Sequence, residues 1–196
     1  MKNNMLDSLD VAALIMKEVG YEGTTAKIHT LLYYVQGWSL AGLGRPAFAH
    51  DLQAWKHGPV SPPVWHAMES ATPPEVTRTT ASTDDKELLL LVKLVAPLYA
   101  SKAASQLVAG THNERPWVEA RRGAAPGEHC SKLLDPHTMR DYFSNDVSAG
   151  GITPKDIALF GIESFFETDP TFELVTVSDN PAVTGSANLL RYRPRP

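Results

Sequence analysis

Cysteine is almost missing from this sequence. Cys130 is the single one among 196 residues, so no disulfide can form within the chain and a cysteine-built zinc site is excluded. A lone thiol suits a reducing compartment. An excess of positive charge is also missing. Lys and Arg number 18 against 22 Asp and Glu, a formal net charge of −4, so no global basic field attracts nucleic acid, although a local patch stays open. No apolar run reaches the ~18 residues of a membrane span. The nearest, Leu88–Ala100, is interrupted by Lys93 and Pro97. The first twenty residues carry Asp7 and Asp10 inside their apolar run and no small-residue cleavage pattern, unlike a secretory signal. Walker A, GxGxxG and GxSxG patterns are absent. These absences point to a cytoplasmic protein with no membrane segment.

What is present is apolar content of 43% with 20% charged residues, the balance of a globular domain with a sizeable core and room for an appendage. The stretch Thr25–Leu40 organises the rest. Ile28, Leu31, Leu32, Val35 and Trp38 recur at the i, i+3, i+4, i+7 spacing of an amphipathic helix. Thr24 or Thr25 can cap its start, and Gly42 and Gly44 stand at its end. A helix before it, capped by Asp7 or Ser8, has Val11, Leu14, Ile15 and Val19 as its stripe and Gly20 as its stop. Further helices are expected after Pro62-Pro63, over Asp85–Ala96 where Pro97 ends or kinks the run, over Lys102–Gly110, from Asn113-Pro116 to Arg121, over 135–145, and after Thr153-Pro154. Phe48, Leu52 and Trp55 read as extended, with a turn forced at Gly58-Pro59. The fold class is mainly α: a compact multi-helix domain with a short β element around residues 48–57, and short strands over Thr171–Val177 and Ala187–Tyr192. Residues 5–147 form the helical domain. Ser148-Ala149-Gly150-Gly151 is the best linker candidate, leaving 148–196 as an extension with a frayed tail.

Chemistry-bearing clusters each meet a plainer reading. Trp55-Lys56-His57-Gly58-Pro59-Val60 is either a tight turn anchored by a tryptophan or a presented binding surface. His112 and Glu114 have the H-x-E spacing of a zinc deaminase, but one cysteine cannot complete that site; capping by Thr111 and Asn113 and packing by Trp117 explain the segment. His50-Asp51, His57 and His66 match no helical metal-ligand pair. His129-Cys130 offers no oriented nucleophile. Arg115, Arg121 and Arg122 form a small basic cluster, read as a solvated helix face or as a phosphate-contacting one.

Four segments in order resemble the Panacea, or SocA-like, antitoxin domain. They are Leu9-Asp10-Val11-Ala12; Lys27-Ile28 with Leu31-Leu32-Tyr33-Tyr34-Val35-Gln36-Gly37; Leu52-Gln53-Ala54-Trp55-Lys56-His57-Gly58-Pro59-Val60; and Thr111-His112-Asn113-Glu114-Arg115-Pro116-Trp117. Two positions depart from the family's usual pattern: His29-Thr30 stands in place of a Gln-Lys pair, and Trp65 in place of Tyr. The resemblance implies a non-enzymatic interaction protein without metal or cofactor, encoded in prophages or mobile elements. Its partner would be a protein toxin encoded nearby, neutralised by direct binding. A second mode implied by the family is delivery of the toxin to the ClpXP protease. Binding to its own promoter is the remaining alternative. The residues that the motifs single out, as structural or partner-binding, are Tyr33, Tyr34, Gln36, Gly37, Trp55, Gly58, Pro59, Val60, Thr111, His112, Glu114, Pro116 and Trp117. Partner choice is expected in Ala71–Thr83 or in the extension from Gly150 to Pro196.

Overall fold

A computed structural model describes residues 5–20, 24–70, 83–125, 127–145, 172–177 and 189–194. The chain divides into two compact units, Met1–Ile157 and Ala158–Pro196. Among the described residues the first unit holds seven α-helices and one short hairpin: α1 (Ser8–Glu18), α2 (Thr25–Trp38), β1 (Gln53–Trp55), β2 (Gly58–Val60), α3 (Pro62–Ser70), α4 (Lys86–Ala100), α5 (Ala104–Thr111), α6 (Arg115–Ala120) and α7 (Pro136–Asn145). In the second unit β3 (Phe172–Val177) pairs antiparallel with β4 (Leu189–Pro194). The linker expected at Ser148–Gly151 and the helix expected after Thr153 lie outside the described residues.

α2 is the centre of the first unit. It touches α1, α3, α4, α5, α7 and β2. Its eleven residues from Ile28 to Trp38 are all buried, so it is enclosed on every side rather than on one apolar stripe. The side chains Tyr33, Tyr34 and Trp38 meet Phe143 of α7 edge-on, with ring centroids 5.5, 6.1 and 5.4 Å away. Tyr34 also stacks on Tyr99 of α4 at 3.7 Å. Trp38 donates its indole N–H to the Tyr99 hydroxyl at 3.0 Å.

The helix starts follow their caps. Asp7 accepts from the amides of Leu9 and Asp10, and Asp10 reaches back to the Asp7 N–H, closing a capping box. Thr24 caps α2 through the Lys27 amide. Asp85 caps α4 through the Leu88 amide at 3.0 Å and pairs with Arg45 at 2.8 Å. α2 ends in a π-helical turn, Ser39–Leu43, which Gly44 closes in the left-handed region at φ 68°.

Three expectations need correction. α4 runs through Pro97 to Ala100, because the proline sits on the exposed side while Val95, Ala96 and Tyr99 stay anchored in the core. The helix over Lys102–Gly110 begins instead at Ala104, where Gln106 accepts from the Ala103 N–H. The turn lies not at Gly58-Pro59 but two residues earlier: Trp55 pairs with Gly58 and Ala54 with Pro59, leaving Lys56-His57 as the two-residue loop. Gly58, at φ 120°, supplies the backbone angle that closes it.

Gly37 has a packing reason to be glycine. A Cβ there would clash with three carbons of the Phe143 ring. Helix propensity alone would make alanine the better residue by about 1 kcal/mol; overpacking of this kind costs about 1–3 kcal/mol. Gly37→Ala is therefore expected to destabilise in urea unfolding. Phe143→Leu is expected to absorb part of that loss, so that the double variant falls short of additivity by roughly 1 kcal/mol.

Candidate functional site

The hairpin is fixed to the helices by side chains from the α6 segment. Trp117 donates its indole N–H to the Trp55 carbonyl at 3.0 Å. Arg121 donates to the Ala54 carbonyl at 2.8 Å and to the Glu128 carbonyl at 2.7 Å. On the other edge of β1, the Ala54 amide bonds the Lys132 carbonyl at 2.9 Å and the Leu134 amide bonds the Leu52 carbonyl at 2.8 Å. Arg121 was expected on a solvated or phosphate-contacting face. Instead it is 7% exposed, lies over the Trp117 ring at 4.9 Å, and spends its guanidinium on backbone carbonyls. The three-arginine cluster is therefore not a continuous surface.

The motif residues converge. Thr111 is fully buried, with its hydroxyl 3.3 Å from where a Cβ on Gly58 would sit. His112 stacks on Trp117 with centroids 4.2 Å apart. Pro116 is buried at the start of α6. Glu114 accepts from the Tyr34 hydroxyl at 2.8 Å, and burial, only partly offset by that bond and its neighbours, holds its carboxyl above the ordinary value. Burial, then the Glu114 charge, raises the Tyr33 hydroxyl as well. That hydroxyl lies close enough to feel the carboxylate but outside the geometry of a formed bond; it and Glu114 Oε2 are buried without a hydrogen-bond partner. Gln36 takes the Ala47 amide at 2.8 Å on Oε1 and gives Nε2 to the Phe48 carbonyl at 3.4 Å.

A cleft of about 540 Å³ opens beside this junction. Ala26 and His29 of α2 form one wall, and Trp65 and Glu69 of α3 another. The hairpin supplies Trp55, Pro59 and Val60, with Lys56 and His57 at its loop, and His129 closes the side. Trp55 and Trp65 stand 5.4 Å apart by ring centroid. Of the positions that depart from the resembled pattern, His29-Thr30 and Trp65, His29 and Trp65 line this cleft. Periodicity could not reveal the cleft. It needs the hairpin's register and the α2–α3 approach, and only the composition of Trp55–Val60 hinted at it.

His29 is 2% exposed. Its Nδ1 accepts from the Ser61 amide at 3.4 Å, so the neutral ring carries its proton on Nε2. Nε2 is buried with no hydrogen-bond partner. The other histidines do not gather into a metal site: His50 Nδ1 is held by the Ser8 hydroxyl at 2.7 Å, and Ser8 in turn accepts from Ser61 at 2.8 Å. Among the described residues no group of three His, Cys, Asp or Glu is placed to hold a metal ion. Among them also, no single helix is long and apolar enough to cross a membrane; α4 and α5 qualify only as a pair, bent by 106°.

Burial lowers the His29 pKa from 6.5 to about 4. A depressed folded pKa means the unfolded chain takes up the proton first. The stability carried by the neutral ring is thus complete above pH 6.5 and is lost as the pH falls toward 4, about 3 kcal/mol in all. Wild type is expected to lose about that much more stability than His29→Phe between pH 7 and pH 4 in urea titrations. Equal losses would show that His29 does not titrate in this way.

Residues 30–118, from α2 to α6, match the family described as the antitoxin SocA-like, Panacea domain. No curated protein and no solved structure matches the chain. The tyrosines of α2, the tryptophan hairpin and the His-Asn-Glu-Arg-Pro-Trp corner fall inside the matched stretch and close on one another, and residues 30–118 belong to the SocA-like antitoxin, Panacea domain family.

Proposed function

We propose that this protein is an antitoxin that neutralises a partner toxin, encoded beside it, by direct protein–protein contact in the cytoplasm. The family match over residues 30–118 carries this reading. The arrangement of the motif side chains supports it. Tyr33, Gly37, Thr111 and Pro116 are buried. Tyr34, Gln36 and Trp117 are committed to hydrogen bonds within the domain. A body held this tightly leaves partner recognition to its surface. Among the aromatics of α2 and α3, Trp38, Tyr33 and Tyr34 are enclosed, and Trp65 reaches the surface together with Trp55. Tryptophan is among the residue types enriched at the energetic hot spots of protein interfaces. Residues 5–147 are then the binding body, and 148–196 an extension available for partner choice.

Co-expression tests this directly. Expression of the adjacent gene alone should arrest growth, and this protein should restore it and co-purify with the toxin. Rescue should persist in cells lacking ClpP. Rescue only in cells with an active ClpXP protease, accompanied by disappearance of the toxin, would replace occlusion with proteolytic delivery.

A further inference from the structure

We infer that the cleft between α2, the β1–β2 hairpin and α3 receives a segment of the partner protein that inserts an apolar side chain and presents a carbonyl or carboxylate oxygen to Nε2–H of His29. This deepens the antitoxin reading and rests on it. The cleft's volume, about 540 Å³, lies within the range of built binding sites rather than surface dimples. Its walls are mostly apolar, and Trp55 and Trp65 lie against each other there as a tilted pair with ring centroids 5.4 Å apart, a surface on which an aromatic or branched side chain can pack.

His29 sets the polarity of the occupant. A buried N–H without an acceptor costs free energy, and native proteins rarely leave one unpaired. Here Nδ1 is already engaged by the Ser61 amide, so only a donor remains, on a side chain 2% exposed that lines the cleft. The group that completes it must be an acceptor. A donor-only partner such as an ammonium would meet N–H against N–H. Lys56 at the hairpin loop adds a second donor and a positive charge, while Glu69 on the opposite wall disfavours a ligand of high negative charge. A peptide segment, with a carbonyl at every residue and one or two apolar side chains, answers all of these demands. The hairpin is well suited to hold it: β2 is an edge strand, and Pro59 removes the N–H that would otherwise invite open-ended strand pairing.

The test uses the full chain and two probes, N-acetyl-tryptophanamide and 3-methylindole, which share a ring but differ in carbonyl acceptors. Titrated into protein labelled with ¹⁵N-histidine, N-acetyl-tryptophanamide should saturate, shift the His29 Nε2 resonance, and bind at least tenfold more tightly than 3-methylindole. His29→Leu should erase that difference, and Trp65→Ala should weaken both probes. Because His29 is buried, each variant's unfolding midpoint is measured, and Trp65→Ala provides the arm least coupled to folding. Toxin binding is then compared: both variants should lose at least tenfold in affinity. Absence of saturation, or equal affinities for the two probes, would overturn the assignment. Unchanged toxin binding by folded Trp65→Ala and His29→Leu would overturn it while leaving the antitoxin reading intact. Failure of the wild type to bind the toxin would remove that reading, and the partner proposed here with it.

Discussion

The constraint on which this fold depends is the complete enclosure of a helix that is not purely apolar. α2 carries His29, Thr30, Tyr33, Tyr34 and Gln36 among its buried residues, and Trp38 adds an indole N–H. Each polar group removed from water needs a partner. Thr30 finds one within the helix, in the Ala26 carbonyl at 2.9 Å. The others, apart from the Tyr33 hydroxyl, look outward. His29 meets the segment entering α3, Tyr34 meets the start of α6, Gln36 meets the chain after the π-helical turn, and Trp38 meets α4. The hydrogen-bond needs of one helix therefore select which elements surround it and in what orientation. Apolar burial alone would hold the same helices together with less specificity.

The same logic extends to the hairpin. Two three-residue strands cannot be stable alone. They persist because Trp117 of α6 and Arg121 just after it grip the β1 carbonyls and because residues 132–134 continue the sheet beyond β1. Gly58 contributes twice, through its positive φ and through the space it leaves for Thr111. The Trp55–Val60 hairpin and the Thr111–Trp117 corner are thus one structure, far apart in sequence and joined across a few ångströms.

This explains what could be read from the sequence and what could not. Helical spacing located α1, α2, α3 and α7 closely, because their apolar positions and capping residues are local signals. Asp7, Thr24 and Pro62 act where a one-dimensional reading places them. Pro97 misled because its cost depends on whether the surrounding core keeps the helix going, and Val95 and Tyr99 do. Arg121 misled because charge on a helix is ordinarily solvated, and nothing local announces the backbone carbonyls of Ala54 and Glu128 as its partners. The Ser61–Ser8–His50 chain and the unpartnered Nε2 of His29 are tertiary facts with no periodic signature. The turn was misplaced by two residues because Gly-Pro is strong punctuation, whereas strand register is decided by what lies opposite.

The division of labour among the motif residues follows from these contacts. Tyr34 bonds Glu114, Thr111 lies against Gly58, Trp117 bonds the hairpin, Gln36 holds the Ala47 amide and Gly37 makes room for Phe143, so a change at any of them alters the frame. Trp55, Pro59 and Val60 belong both to the frame, through backbone bonds and burial, and to the cleft beside it. A cleft walled by such residues cannot drift in shape without disturbing the core, so it is rigid by construction. Rigidity of this kind lowers the entropic cost of binding and lets a few side chains at the cleft's edge set its chemistry. His29 and Trp65 occupy those positions: one is anchored to the core through Ser61, the other stands partly exposed against Trp55. Recognition can then change by substitution at the walls while α2 and its partners stay as they are.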